Sequence, residues 1–282
     1  MEIQPGIRED ITLRSRKDNY MISEYREIEN EYINIFSAHE NCSGYERFYD
    51  DKLPGMYAFN CIFIKESTGE EICRLLADKL KEYEDRNQDF LKVLVHHGVM
   101  LTDEQKSEAA GMGFELKTNI YMRLSSYKDQ KFEKREGCRV KRACTDEEFQ
   151  HISMLDIKSS TEAGIPEDFA IDKAARKRDV YKSVDNNLEA YIAYFDGEPA
   201  GKCELFIQDG YAKIEDFDVV KKHQRKGIGT TMLRSMIEDA ISREVRNIYL
   251  IADKDDTPRD MYSRLGFETI GEEIELFRAL NG

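Results

Sequence analysis

The stretch Ile214-Glu-Asp-Phe-Asp-Val-Val-Lys-Lys-His-Gln-Arg-Lys-Gly-Ile-Gly-Thr-Thr-Met232 decides how the chain is read. A strand-like run ends near Val220, and a short basic loop carries Gly227 and Gly229. A helix starts at once, because Met232, Leu233, Met236, Ile237, Ala240 and Ile241 recur at helical spacing. The first amides of a helix have no partner inside it, and the helix dipole adds positive potential there. Glycine lets a ligand come close to the backbone. Lys221, Lys222, Arg225 and Lys226 concentrate positive charge on a chain whose formal charge is −14. These are the ingredients of a diphosphate site.

Two nucleotide motifs fail at this loop. A P-loop needs lysine after its last glycine, and Gly229 is followed by Thr230. A dinucleotide fingerprint needs a third glycine, and Met232 stands there. The strand before the loop also follows two hairpins rather than opening a βαβ unit.

Working outward, Cys138–Ala143 reads as a strand, and Thr145-Asp-Glu-Glu148 has capping-box spacing for a helix through about Ile157. Ser159–Asp168, with Gly164 and Pro166, reads as a loop, and Phe169–Lys182 as a charged helix. Glu189–Phe195, Ala200–Gln208 and Tyr211–Val220 are strands joined at Asp196-Gly197 and Asp209-Gly210, which are hairpin signals. Asn247–Ala252 is apolar on both faces, as in a central strand. Thr257-Pro258 opens a helix that ends at Gly266, and Glu268–Ala279 is extended.

The first half repeats part of this order. Tyr57–Lys65 is strand-like, Thr68-Gly-Glu-Glu71 has capping-box spacing, Phe90–Val99 is an apolar strand and Thr102-x-x-Gln105 caps another helix. Met112-Gly-Phe-Glu115 echoes Leu265-Gly-Phe-Glu268, and the shared order indicates an internal duplication. Ser125–Glu136 is charged and reads as the linker. Tyr20–Phe36 reads as a further helix.

Gln224-x-x-Gly227-x-Gly229 resembles the [Q/R]-x-x-G-x-[G/A] signature of the GNAT superfamily of acyl-CoA-dependent N-acyltransferases. Val219 lies five residues before Gln224, as in that family, and Met261-Tyr262-Ser-Arg-Leu-Gly266-Phe267 matches its Y-x-x-x-G-F helix end. The resemblance covers about residues 137–282. It implies a mixed α/β GNAT-like fold, with two such domains in tandem: a degenerate one over 1–130 and an intact one over 131–282. It further implies acetyl-CoA as cosubstrate. Gln224, Arg225, Lys226, Gly227, Ile228, Gly229 and Thr230 would hold the pyrophosphate. Phe217, Asp218 and Val219 would bond the pantetheine arm through their backbone, with the Val219 amide on the thioester carbonyl. Tyr262 would protonate the leaving thiolate. One departure is that Asp255 and Pro258 stand where the family often has Asn and Ala, which puts contacts from that helix in doubt.

Direct attack on a thioester needs a neutral amine. A lysine-like amine of pKa ~10.4 costs roughly 4.6 kcal/mol to deprotonate at pH 7, so a proton acceptor or a water relay is required. Glu215 and Asp216 are the candidates. In a regular strand Glu215 shares a face with Phe217 and Val219, and a bulge would reverse the choice.

The first half offers Glu66, Glu70 and Glu71 where phosphates would sit, so it is expected not to bind coenzyme A. Both halves are net negative, which argues against a nucleic-acid partner. No apolar run has membrane-spanning length and no signal peptide is read, so a cytoplasmic chain is expected. The six cysteines are scattered, and Cys203 reads as a core thiol. His96-His97 lacks ligand partners, so no metal is expected, and His223 reads as solvated. The leading function is an N-acetyltransferase acting on an amine-bearing small molecule or protein terminus, with a homodimer open. The alternative is a sensor that holds acyl-CoA without turnover.

Overall fold

The computed structural model describes residues 24–65, 69–96, 99, 101–127, 133–183, 187–255 and 259–280. By packing the chain forms two units. One comprises Met1–Tyr121, Asp253–Asp255 and Ile270–Gly282, and the other Met122–Ala252 and Asp256–Thr269.

The first unit holds helix α1 (24–34), strands β1 (Ala38–Asn41), β2 (Tyr45–Tyr49) and β3 (Cys61–Ile64), helix α2 (Gly69–Asp85), β4 (Phe90–Val95), α3 (Asp103–Gly111) and most of β5 (Glu115–Leu124). It also takes up most of the chain's last strand, β11 (Phe267–Ala279). The strand order is β1-β2-β3-β4-β11-β5. β11 runs antiparallel to β4, from Ile274 opposite Val95 to Ala279 opposite Phe90. The domain division expected at 130/131 follows sequence character, whereas the first packing unit also takes up residues 270–282. Thr102 and Gln105 form the expected capping box of α3, while Thr68 lies outside the described residues. The strand expected from Tyr57 begins only at Cys61, because Asn60 ties the preceding turns together. Its side chain accepts from the Asp50 amide (2.8 Å) and donates to the Leu53 and Met56 carbonyls (3.2 and 2.9 Å).

The second unit holds β6 (Cys138–Arg142), α4 (Asp146–Glu162), α5 (Glu167–Tyr181), β7 (Leu188–Phe195), β8 (Glu198–Gln208), β9 (Tyr211–Val219), α6 (Ile228–Ser242), β10 (Asn247–Asp253) and α7 (Arg259–Leu265). Its strand order is β10-β9-β8-β7-β6. β6 to β9 pair antiparallel, and β9 pairs parallel with β10. Thr145 and Glu148 make the expected capping box. α4 continues past Ile157 to Glu162 because nothing breaks it before Gly164 (φ +88°). The stripe on α6 is buried as expected at Met232, Leu233, Met236, Ile237 and Ala240, whereas Ile241 is exposed.

Gly266 closes α7. Its φ is +106°, and a Cβ there would stand 1.8 Å from the Ser126 carbonyl oxygen. The Ser125 amide and hydroxyl both donate to the Gly266 carbonyl (3.0 and 3.1 Å). Gly266→Ala is therefore expected to lower unfolding stability by about 1–3 kcal/mol, from strain in this φ region and the backbone clash. Denaturant unfolding checks it, and an unchanged midpoint and slope would contradict the tight approach. Among the described residues no helix is long and apolar enough to cross a membrane.

Candidate active site

The site is built where β9 leaves its neighbour. The β9–β10 pairing runs from Tyr211/Asn247 to Ile214/Leu250 and stops there, although β9 continues to Val219 and β10 to Asp253. The edge of residues 215–219 that would face β10 thus lacks a ladder partner, and a buried or half-buried backbone needs one. In the first unit the corresponding parallel pair, β3 and β4, stays in register to the last residue of both strands, Ile64 opposite Val95. No wedge opens there.

β9 carries a bulge at the same place. On β8 and β9, Lys202 stands opposite Asp218 and Glu204 opposite Glu215, so Asp216 and Phe217 together face Cys203. Asp216 supplies the extra residue at φ +48°, a left-handed conformation that non-glycine residues seldom adopt. A Cβ at Gly201 would lie 2.7 Å from the Asp218 carbonyl oxygen and from Met232 Sδ, so only glycine permits this close approach of β8 to β9. The regular alternation expected for β9 is corrected here. Phe217 and Val219 face the start of α6, each within 4 Å of where a Gly229 Cβ would stand.

The bulge sends the Asp216 carboxylate into an ion-pair cluster. Lys177 Nζ of α5 lies 2.6 Å from its Oδ2, and Lys202 Nζ of β8 donates to the same oxygen. Burial alone would raise this carboxyl, but the two ammonium groups overcome it and hold it well below the usual carboxylate range. An acid so firmly ionised and doubly bonded is a poor proton acceptor. The structure therefore places Asp216 outside the base role expected of it. Glu215 stays one-third exposed and pairs with Lys213 at 3.0 Å.

A cavity of about 540 Å³ opens beside the splayed strand, lined by Phe217, Asp218, Val219, Gln224, Arg225, Gly227, Gly229, Thr230, Met261 and Tyr262. Ten residues from β9, the loop after it, α6 and α7, singled out by the motifs or adjoining them, line this cavity. Gly227 caps α6 at φ +81°, and Arg225 before it is also left-handed at φ +59°. These two turns point the first helical amides outward. Thr231 Oγ1 locks the turn, donating to the Gly227 carbonyl (2.9 Å) and accepting from the Arg135 amide (2.8 Å). Gln224 Nε2 donates to the Val219 carbonyl (2.9 Å), tying the loop back to β9. Lys221 and Lys222 pair with Glu162 (3.4 Å) and Glu198 (2.6 Å). Arg225 and Lys226 are left as the loop's unpaired cations among the described residues. Lys226 and Ile228 do not line the cavity, and the Ile228 side chain is buried beneath the helix.

Tyr262 is buried, with its ring edge-on to Phe267 at 6.3 Å between centroids, and lines the cavity. Asp255 is an exposed residue whose amide donates to Asp253 Oδ1 (2.9 Å), and Thr257 and Pro258 lie outside the described residues. His223, expected in solvent, is buried edge-on against Phe195 (5.6 Å). Desolvation first, then Lys222 and Lys226, lower its pKa. Cys203 is a buried thiol raised mainly by desolvation, as expected of a core cysteine. Among the described residues no cluster with metal-ligating geometry occurs. Sequence reading missed Lys177 and Lys202: Lys202 stands in a largely apolar strand, whereas Lys177, between Arg176 and Arg178 on a charged helix, carries no local signal.

A splayed parallel pair, a bulged strand and a glycine-led helix start thus meet within the mixed sheet of the second unit. Residues 153–267 match the model of the Acetyltransferase (GNAT) family, so the second unit carries a GNAT acetyltransferase domain, which makes the chain an acyltransferase. The uncharacterized N-acetyltransferase CgeE of Bacillus subtilis is 26% identical over 253 residues, covering 88% of this chain and 95% of that protein. A GCN5-related N-acetyltransferase from Kribbella flavida has a similar fold, with TM-score 0.62 and 13% identity over 89% of this chain and 94% of that one. A tandem GNAT protein from the clavulanic acid biosynthesis pathway aligns at TM-score 0.52 and 16% identity, covering 84% of this chain and 79% of its own.

Proposed function

We propose that the second unit transfers an acetyl group from acetyl-CoA to a primary amine by direct attack in a ternary complex. The observation that carries this is the single cavity in which the splayed end of β9 and the amide-rich start of α6 meet. The amides of Gly227–Thr230, with Arg225 and Lys226 nearby, bind the pyrophosphate. The open edge of Phe217–Val219 pairs with the pantetheine arm, and the Val219 amide stabilises the oxyanion. Tyr262 protonates the departing thiolate.

A second cavity of about 180 Å³ lies between the end of α4 and the same strand, lined by Leu155, Ser159, Glu162 and Lys221 among others. Asp218, Val219 and Gln224 line both cavities. The acceptor amine approaches the thioester from this side, and Glu215, which lines neither cavity, takes its proton through water. Glu215→Gln is expected to displace the rise of kcat/KM to higher pH. Superimposable pH profiles would assign the proton to water alone. The first unit, with its closed β3–β4 pair, takes no part in coenzyme binding.

Thiol release from acetyl-CoA across a panel of small amines, amino acids and peptide N-termini tests the reading. Release dependent on one amine class supports it. Calorimetric binding of acetyl-CoA with no release from any amine would replace it with a protein that holds acyl-CoA without transfer.

A further inference from the structure

The bulge that aims Phe217–Val219 into the cavity depends on a left-handed aspartate, and nothing in a strand ladder holds such a residue in place. Asp216 is held from outside the strand. Lys177 and Lys202 converge on one carboxylate oxygen from a helix and from the neighbouring strand. Each is itself bound again: Lys177 Nζ to Glu204 Oε1 at 2.6 Å, and Lys202 Nζ to Asp156 Oδ1 at 3.0 Å. Lys173 Nζ reaches the same Asp156 oxygen at 3.3 Å. The lysine side chains are 7% and 3% exposed at positions 177 and 202, and Glu204 and Asp156 are 1% and 5% exposed. Three ammonium groups thus balance three carboxylates between α4, α5 and the sheet. A buried charge whose partner is removed is costly, whereas a balanced set is tolerated.

We infer that Lys177 and Lys202 are positioning residues for acyl transfer: through Asp216 they hold the β9 bulge that directs the Val219 amide at the thioester. They touch neither substrate, and act by fixing a backbone conformation that Asp216 would otherwise leave. This inference rests on the reading that acetyl-CoA lies along β9.

The test compares Lys177→Met, Lys177→Met/Asp216→Gly and Lys177→Met/Asp216→Ala, with kcat expressed per acetyl-CoA site titrated by calorimetry. Lys177→Met is expected to lower kcat per site by about 10²-fold, the size of effect a misplacement near 1 Å produces. Acetyl-CoA affinity falls far less than kcat, because the pyrophosphate contacts at the start of α6 are kept and only the pantetheine contacts along β9 are disturbed. Both double variants remove one cation and one anion and so restore the charge balance. Only glycine takes φ near +48° without strain. Lys177→Met/Asp216→Gly should recover most of the turnover, and Lys177→Met/Asp216→Ala should not. Equal recovery by both, or unchanged kcat per site in Lys177→Met, would overturn the positioning role and leave only charge balance. Absence of acetyl-CoA binding or turnover in the unaltered chain would instead refute the reading beneath it.

Discussion

Gly229→Trp is expected to abolish measurable acetyl-CoA binding, raising Kd by at least about 100-fold, or about 2.7 kcal/mol. A Cβ at this position would stand 3.4 Å from Met261 Sδ, 3.6 Å from Phe217 Cε1 and 3.8 Å from Val219 Cγ2, in ordinary contact. Alanine is therefore accommodated, and a large side chain has nowhere to go except into the cavity these residues line. Because the obstruction lies on the open side of α6, the helix keeps its buried face of Met232, Leu233 and Met236 and the fold survives. Gly227→Val reaches a similar end differently, since φ +81° is strained for a β-branched residue and the first helical turn must unwind. Calorimetric titration and circular dichroism on the same samples check both. A folded Gly229→Trp that binds acetyl-CoA normally would show that the coenzyme lies elsewhere.

Tyr262→Phe is expected to lower kcat by about 10²-fold, the lower end of what a positioned acid contributes, with acetyl-CoA affinity little changed. The ring packs edge-on against Phe267 and is buried, so phenylalanine keeps the packing and removes the hydroxyl alone. The residue lines the same cavity as Phe217 and Val219, which puts the phenol beside the strand where the thioester is read to lie. A thiolate leaving without a proton is a poor leaving group, so the loss falls on turnover rather than on binding. The discriminating measurement is kcat against acetyl donors whose leaving thiols differ in pKa. An acid role makes the variant most defective with the most basic thiolate. Equal kcat in both proteins would leave the tyrosine a packing residue.

What the sequence disclosed was local. The Gln224–Gly229 spacing, the caps at Thr145 and Thr102, and the two Asp-Gly turns each depend on residues within one turn or loop, and the structure places them as read. The bulge at Asp216 was not legible, because two-residue alternation assumes an unbroken ladder. What breaks this ladder is a pair of lysines 39 and 14 residues away in sequence. Alternation in a regular strand favoured Glu215 and a bulge would favour Asp216; the folded chain has the bulge, yet makes Asp216 a clamped anion. His223 was misread for a related reason, since its burial comes from Phe195 on a strand two hairpins earlier. The placement of β11 beside β4 pairs residues as distant in sequence as Phe90 and Ala279, and no local signal encodes it. In the first half, the carboxylates Glu70 and Glu71 argued correctly for a helix start. The unbroken β3–β4 register supplies an independent reason why that half is not expected to hold a coenzyme.

The most direct measurement is a crystal structure of the chain soaked with coenzyme A. The pyrophosphate should lie within hydrogen-bonding distance of the amides of Gly227–Thr230, with the pantetheine arm alongside Phe217–Val219 and its sulfur near the Tyr262 hydroxyl. Density for the nucleotide at the β3–α2 turn, or at any place that leaves those amides bonded only to water, would contradict the assignment.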